Sequence, residues 1–150
     1  MGGGWNGIAK ILQKATVAKC VEMVGEAQQV LEMSVDYAKT RVQFGRPIGS
    51  FQAIQHHCAN MAVDVEAARL MAYRAAWLIS EGVPCARDVS AAKVWVNEAC
   101  RRVMTLGHQI HGAIGFTWDH DMQLFSRRAV AGRVSFGDSD YHRDLVASLL

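Results

Sequence analysis

A chain of 150 residues is long enough for one domain with a real core, since at this size roughly two-thirds of the unfolded surface becomes buried. Its residues are 51% apolar and 20% charged with only two prolines, which excludes a disordered or low-complexity chain. Sixteen Lys and Arg against fourteen Asp and Glu leave a net charge of +2, too near balance for nucleic acid or an anionic membrane to be the main partner.

The first element runs from about Asn6 to Thr40, a stretch without proline. Its apolar residues Val17, Val21, Val24, Leu31, Val35 and Ala38 recur at steps that keep one helix face apolar. The segment Phe44 to Ser50 then brings two glycines and a proline, so a turn is expected, with Ser50 suited to cap the next helix. A second amphipathic helix follows through Ile54, Cys58, Met61, Val65, Ala68, Ala72, Ala76 and Ile79, and Gly82 and Pro84 end it. Asp88 or Ser90 is expected to cap a third helix, whose stripe is Ala92, Val96, Ala99, Val103, Leu106 and Ile110.

Trp118 to Arg133 reads as a fourth, shorter helix, and Asp138 or Ser139 as the cap of a last one running through Leu145. No alternating strand pattern of useful length is present. The expected fold is therefore all-α, an up-and-down four-helix bundle with a short extra C-terminal helix. Many stripe positions are alanine, which permits close helix approach and leaves exposed faces that suit an oligomer.

Cys20, Cys58, Cys85 and Cys100 stand singly, without the close pairs of a zinc site, and read as reduced buried thiols of a cytoplasmic protein. The opening residues carry no cationic segment followed by a long apolar one. No uncharged apolar run approaches the ~20 residues of a membrane span, so neither export nor membrane insertion is expected.

Two segments have the composition of a binding site. Arg41 to Gln52 gathers two arginines, amide side chains and two aromatic rings around a glycine-bearing turn. Arginine offers a planar fork to phosphate, and a following helix start adds backbone N–H groups. On spacing alone, a solvated basic turn accounts for the same residues. His108 to Thr117 takes a helix into two glycines that let backbone approach a ligand. His108 and His111 share a helix face and with His120 make a conceivable metal site, but no carboxylate completes it. Hydrogen bonding is the simpler role, and no metal is expected.

Together and in this order, these segments resemble the acyl-CoA dehydrogenase family. Arg41, Gln43-Phe44-Gly45, Pro47-Ile48, Phe51-Gln52 and Gln55 are similar to one motif of that family, and Gln109-Ile110-His111-Gly112-Ala113-Ile114-Gly115-Phe116 to a second. The resemblance implies the C-terminal helical bundle over residues 1–150, one of three domains in a longer parent chain. It further implies FAD as cofactor, an acyl-CoA substrate, a dimer or tetramer and an electron-transfer acceptor. Contacts to FAD carry over to Arg41, Gln43, Phe44, Gln52, Gln109, Ile110, His111 and Gly112, with Ala113 where a second glycine is usual.

The chemistry of that family needs a base to take a proton beside the thioester carbonyl while hydride leaves the next carbon. Phe136 stands where many members carry the base, a glutamate. Other members carry the glutamate on the first helix, just before an arginine that contacts the substrate, and Ala15 and Thr16 match those two positions. Asp138 lies two residues beyond Phe136 and is the weak candidate, and an N-cap role explains it more simply. Three readings stay open. The parent pairs with a different, base-bearing subunit; or it is a homo-oligomer whose base is Asp138 or lies outside these residues; or the bundle is a non-catalytic interaction module that binds no flavin. In all three the isolated chain is expected to be inactive and to retain little FAD.

Overall fold

The computed structural model describes residues 3–150. In chain order it has helix α1 (Gly3–Thr40), two-residue strands β1 (Val42–Gln43) and β2 (Arg46–Pro47), and helices α2 (Gln52–Ser80), α3 (Ala86–His111), α4 (Met122–Val134) and α5 (Ser139–Ser148). Single 3₁₀ segments cover Ile48–Ser50 and Gly112–Phe116. The short connections force α1, α2 and α3 to alternate in direction. Helix α3 is central and packs against the other four.

The bundle follows the periodicity of the sequence, with small rotations. On α1, Val17, Val24 and Ala38 are buried as expected, whereas Val21, Leu31 and Val35 flank a stripe centred on Cys20, Met23, Ala27, Val30 and Ser34. Ser34 is tolerated there because its hydroxyl donates to the Val30 carbonyl one turn back (2.7 Å). Ala68, Ala72 and Ala75 of α2 and Ala92 and Ala99 of α3 are fully or almost fully buried, so small side chains line the close contacts between helices. One core cluster occupies most of the bundle, and a second, around Val17, Leu78, Cys85 and Val89, fills the end where α1 and α3 begin.

The helix starts were less legible than the helices. Ser50 does not cap α2: it lies in the 3₁₀ turn and donates to the Pro47 carbonyl (2.7 Å), while Phe51 occupies the cap position. Helix α3 begins a few residues before the expected caps, after Cys85, so Asp88 lies in its first turn and pairs with Arg74 of α2 (3.1 Å). A carboxylate there is favoured by the helix dipole without being the cap. Asp138 does cap α5, accepting the Tyr141 N–H (2.9 Å). Helix α4 starts four residues later than expected, at Met122.

Ion pairs tie the helices laterally. Arg102 of α3 grips Asp64 of α2 with two nitrogens (2.6 and 2.9 Å), and Arg128 of α4 reaches Glu22 and Glu26 of α1. All four cysteines are free thiols. Burial pushes the Cys20 and Cys100 thiols up to about 11 and about 12, so neither ionises near neutral pH. Among the described residues, no helix is long and apolar enough to cross a membrane.

Candidate functional site

The first binding segment is a two-residue β-hairpin on the end of α1. The Arg41 N–H still donates to Tyr37 O (2.8 Å), and then Val42 pairs with Pro47 and Gln43 with Arg46. Both residues at the tip have positive φ, Phe44 at 53° and Gly45 at 77°. That geometry matches the twist of a tight hairpin and suits Gly45, but a phenylalanine adopts it only against strain. The strained residue carries a ring that is 92% exposed and buries almost nothing. Behind it, Phe51 meets Phe44 edge-on (6.0 Å), and the Arg46 guanidinium lies over the Phe51 ring (4.2 Å).

Arg41, Gln43 and Gln52 are exposed around this turn. Gln43 spends its amide N–H₂ on its neighbour's carbonyl, Val42 O (2.8 Å). Among the described residues, Arg41 has no carboxylate within ion-pair distance. A guanidinium without a carboxylate partner, in the same turn as an exposed aromatic ring, is free to donate to an anionic oxygen such as a phosphate's.

The second segment ends α3 at the same end of the bundle. Gln109 and Gly112 are exposed, but Ile110 and His111 are buried. Ile110 belongs to the main core. The His111 ring stacks on Tyr37 (4.6 Å), and its Nδ1–H donates to Gly107 O (2.8 Å). Of the four candidates here, Gln109 offers its side chain and Gly112 its backbone, while the side chains of Ile110 and His111 are committed to the interior. Tyr37 thus joins the two segments, with its ring against His111 and its carbonyl taking the Arg41 N–H. Ala113 is exposed and outside the left-handed region, so alanine sits there without strain.

The three histidines have protein partners. His108 Nε2 meets Ser126 Oγ (2.5 Å), and His120 Nδ1 accepts the Met122 N–H (3.1 Å). The His120 ring lies edge-on to His111 (4.9 Å). Burial pushes His108 and His111 below the ordinary imidazole range, and His120 adds to the effect.

At the other end of the bundle is an apolar cleft lined by Leu12 and Thr16 of α1, Val89 of α3, Phe136 of the α4–α5 turn, and Tyr141 and His142 of α5. Of the positions singled out for a base, Phe136 shares this cleft with Thr16, whereas Ala15, which matches the glutamate of the alternative position, does not line it. The Thr16 hydroxyl is spent on Leu12 O (2.8 Å). None of the described residues lining the cleft is a carboxylate. Asp138 sits in a separate groove with Glu98, Arg133 and Arg143 and is occupied as the α5 cap. Sequence reasoning missed His142 at this end: it is buried, and its Nε2–H donates to the Phe136 carbonyl (3.0 Å). Thr16 and Thr40 are 24 residues apart on α1, about 36 Å at ~1.5 Å per residue, so cleft and hairpin lie far apart.

The family profile described as acyl-CoA dehydrogenase, C-terminal domain, matches residues 2–150. Acyl-CoA dehydrogenase IpdE2 of Mycobacterium tuberculosis is 40% identical over 119 residues, which is 79% of this chain and 36% of that protein. The structure of butyryl-CoA dehydrogenase from Megasphaera elsdenii superposes with a TM-score of 0.91 at 30% identity, covering 95% of this chain and 37% of that one. A structure described as electron transferring flavoprotein of Acidaminococcus fermentans gives 0.89 at 34% identity, covering 93% and 37%. The chain spans little more than a third of the length of each.

Proposed function

We propose that this chain, which belongs to the acyl-CoA dehydrogenase family and matches its C-terminal domain, is the FAD-contacting and oligomerising domain of a flavin oxidoreductase that introduces an α,β double bond into an acyl-CoA thioester. The observation that carries the reading is the division of the bundle into two ends. Cofactor-type donors gather at the hairpin, whereas Phe136 and Thr16 line the cleft about 36 Å away along α1.

Bound flavin supplies the hydride acceptor that the chemistry needs. Arg41 would hold the diphosphate, with Gln43 and Gln52 beside it and the Phe44 ring offering a flat surface. Gln109 and the Gly112 backbone would complete the contact from α3, and Ile110 and His111 would support that backbone from inside. Because hairpin and cleft lie too far apart for one dinucleotide, each active site would draw on two chains, which makes the assembly a dimer or tetramer. The cleft would take the acyl group against apolar walls. An electron-transferring flavoprotein is the kind of acceptor such an enzyme would use, and a cytoplasmic location accords with four free thiols.

A cleft without a carboxylate favours a partner subunit that carries the base, and so a hetero-oligomer. A second reading, an interaction module that binds no flavin, rests on the same Phe136. Arg41→Ala in the purified parent assembly separates them. The expected result is flavin retention weakened by about tenfold or more, since hydrogen bonds to charged groups contribute about 1.5–3 kcal/mol, with melting unchanged. An assembly that carries no flavin before the substitution leaves the second reading standing. Native mass spectrometry of an active assembly containing only this one kind of chain rules out the hetero-oligomer.

A further inference from the structure

A surface turn between two helices needs no buried charge, yet the α4–α5 turn is gripped by three buried polar side chains. Lys93 and Asn97 of α3 are 0% exposed and His142 of α5 is 4% exposed. Lys93 Nζ donates to Gly132 O (2.6 Å) and Asn97 Oδ1 (2.9 Å), with Met23 Sδ at 4.0 Å as its remaining polar neighbour. Among the described residues, no carboxylate lies within ion-pair distance of it. Asn97 Nδ2 donates to Arg133 O (3.1 Å) and approaches Ser139 Oγ (3.4 Å). His142 Nε2–H holds Phe136 O.

Three carbonyls of one short segment, those of residues 132, 133 and 136, thus take their donors from inside the protein. The unpaired ammonium sits at the C-terminal end of α4, where the helix dipole favours a cation. Burial nonetheless pushes the Lys93 ammonium below the ordinary lysine range, so the site holds its charge at a cost. The segment so gripped is itself strained. Phe136 has φ of 60° and Gly137 of 106°, and a Cβ at Gly137 would collide with the Tyr141 ring and with His142 Nε2. A non-glycine residue in that conformation carries strain, which the buried donors around Phe136 can offset.

We propose that Lys93, Asn97 and His142 form a socket that positions Phe136 as a fixed wall of the cleft, and that Phe136 thereby sets which acyl groups the cleft admits. The positioning role stands on the geometry above. The specificity role rests on the reading of the cleft as an acyl site.

The two parts are tested separately. Fluorine NMR of protein carrying 4-fluorophenylalanine, with the Phe136 signal assigned by Phe136→Leu, is expected to give one narrow Phe136 line. Lys93→Met, or Asn97→Ala should the first variant fail to fold, is expected to split or shift that line and leave the other phenylalanines in place. Amide exchange at Ser135 and Tyr141 should rise by about tenfold or more, with Val65 of α2 unchanged, as expected of a local opening. An unmoved line in a folded variant, or equal acceleration at Val65, overturns the socket.

For specificity, Phe136→Ala in the parent assembly is expected to raise kcat/KM for octanoyl-CoA relative to butyryl-CoA by about tenfold or more, since one methylene is worth about 10–200-fold and the two acyl groups differ by several. An unchanged ratio overturns the specificity role. No turnover with either thioester, before or after the substitution, removes the functional reading and the specificity role with it, while the fluorine line and amide exchange judge the socket.

Discussion

The two ends of the bundle use strain in opposite ways. At the hairpin, Phe44 is left-handed and its ring stands free in solvent, with exposed Arg41, Gln43 and Gln52 around it. At the cleft, Phe136 is also left-handed, but buried Lys93, Asn97 and His142 fasten the backbone around it. One end leaves its ring in solvent; the other takes its hydrogen-bond donors from within. Two residues of one type in one backbone region thus differ in what surrounds them, solvent at the hairpin and buried donors at the cleft.

The contrast breaks most readily at the cleft end. Met23 is almost fully buried, packs on Gly132 and lies beside Lys93. Met23→Ala should cost about 3 kcal/mol in urea unfolding, the range for a large-to-small core change, and loosen α4. A loss below about 1 kcal/mol would mean that α4 contributes little to the core.

A smaller effect separates the ends by pH. Burial lowers the pKa of His142 at the cleft and of His108 and His111 near the hairpin. A histidine whose folded pKa is depressed favours the neutral form in the native state. The stability it contributes is therefore present above the unfolded value of about 6.5 and is lost as pH falls through that value toward the folded one. The melting temperature should drop between pH 7.5 and 5.5. His142→Phe and His111→Phe should each flatten part of that drop, and comparing them shows which end gives way first. A melting temperature that rises on acidification contradicts the assignment.

The smallest change is expected at the hairpin. Phe44→Asn relieves a left-handed phenylalanine that buries almost nothing, so stability should stay level or rise by up to about 1 kcal/mol, while flavin retention in the parent assembly falls. A clear loss of stability would show that the Phe44–Phe51 contact holds the hairpin together.

The helices were legible because apolar residues repeat at the helical period and because Gly82, Pro84 and Asp138 mark ends by local chemistry. The Arg41 and Gln109 segments were legible as motifs, but motif identity carries no direction. Nothing in the order Gln109-Ile110-His111-Gly112 states that two of these side chains turn inward. Ser50 and Asp88 misled for a related reason. A residue able to cap does so only if the chain enters the helix at that point, and the 3₁₀ turn and the early start of α3 moved the entry.

Lys93 and Asn97 show the limit most clearly. They lie one residue beyond Ala92 and Val96 of the α3 stripe, on its flank. In the folded chain α4 and α5 cover that side as well, so the two polar residues become interior donors. Period and local backbone preference were enough to specify the bundle, its antiparallel order and the composition of its exposed turn. Only the tertiary structure decided that Thr16 and Phe136 face one cleft and that Lys93 reaches a carbonyl 39 residues away. Such pairings are set by which helix faces meet, and that is a property of the packed chain rather than of any segment within it.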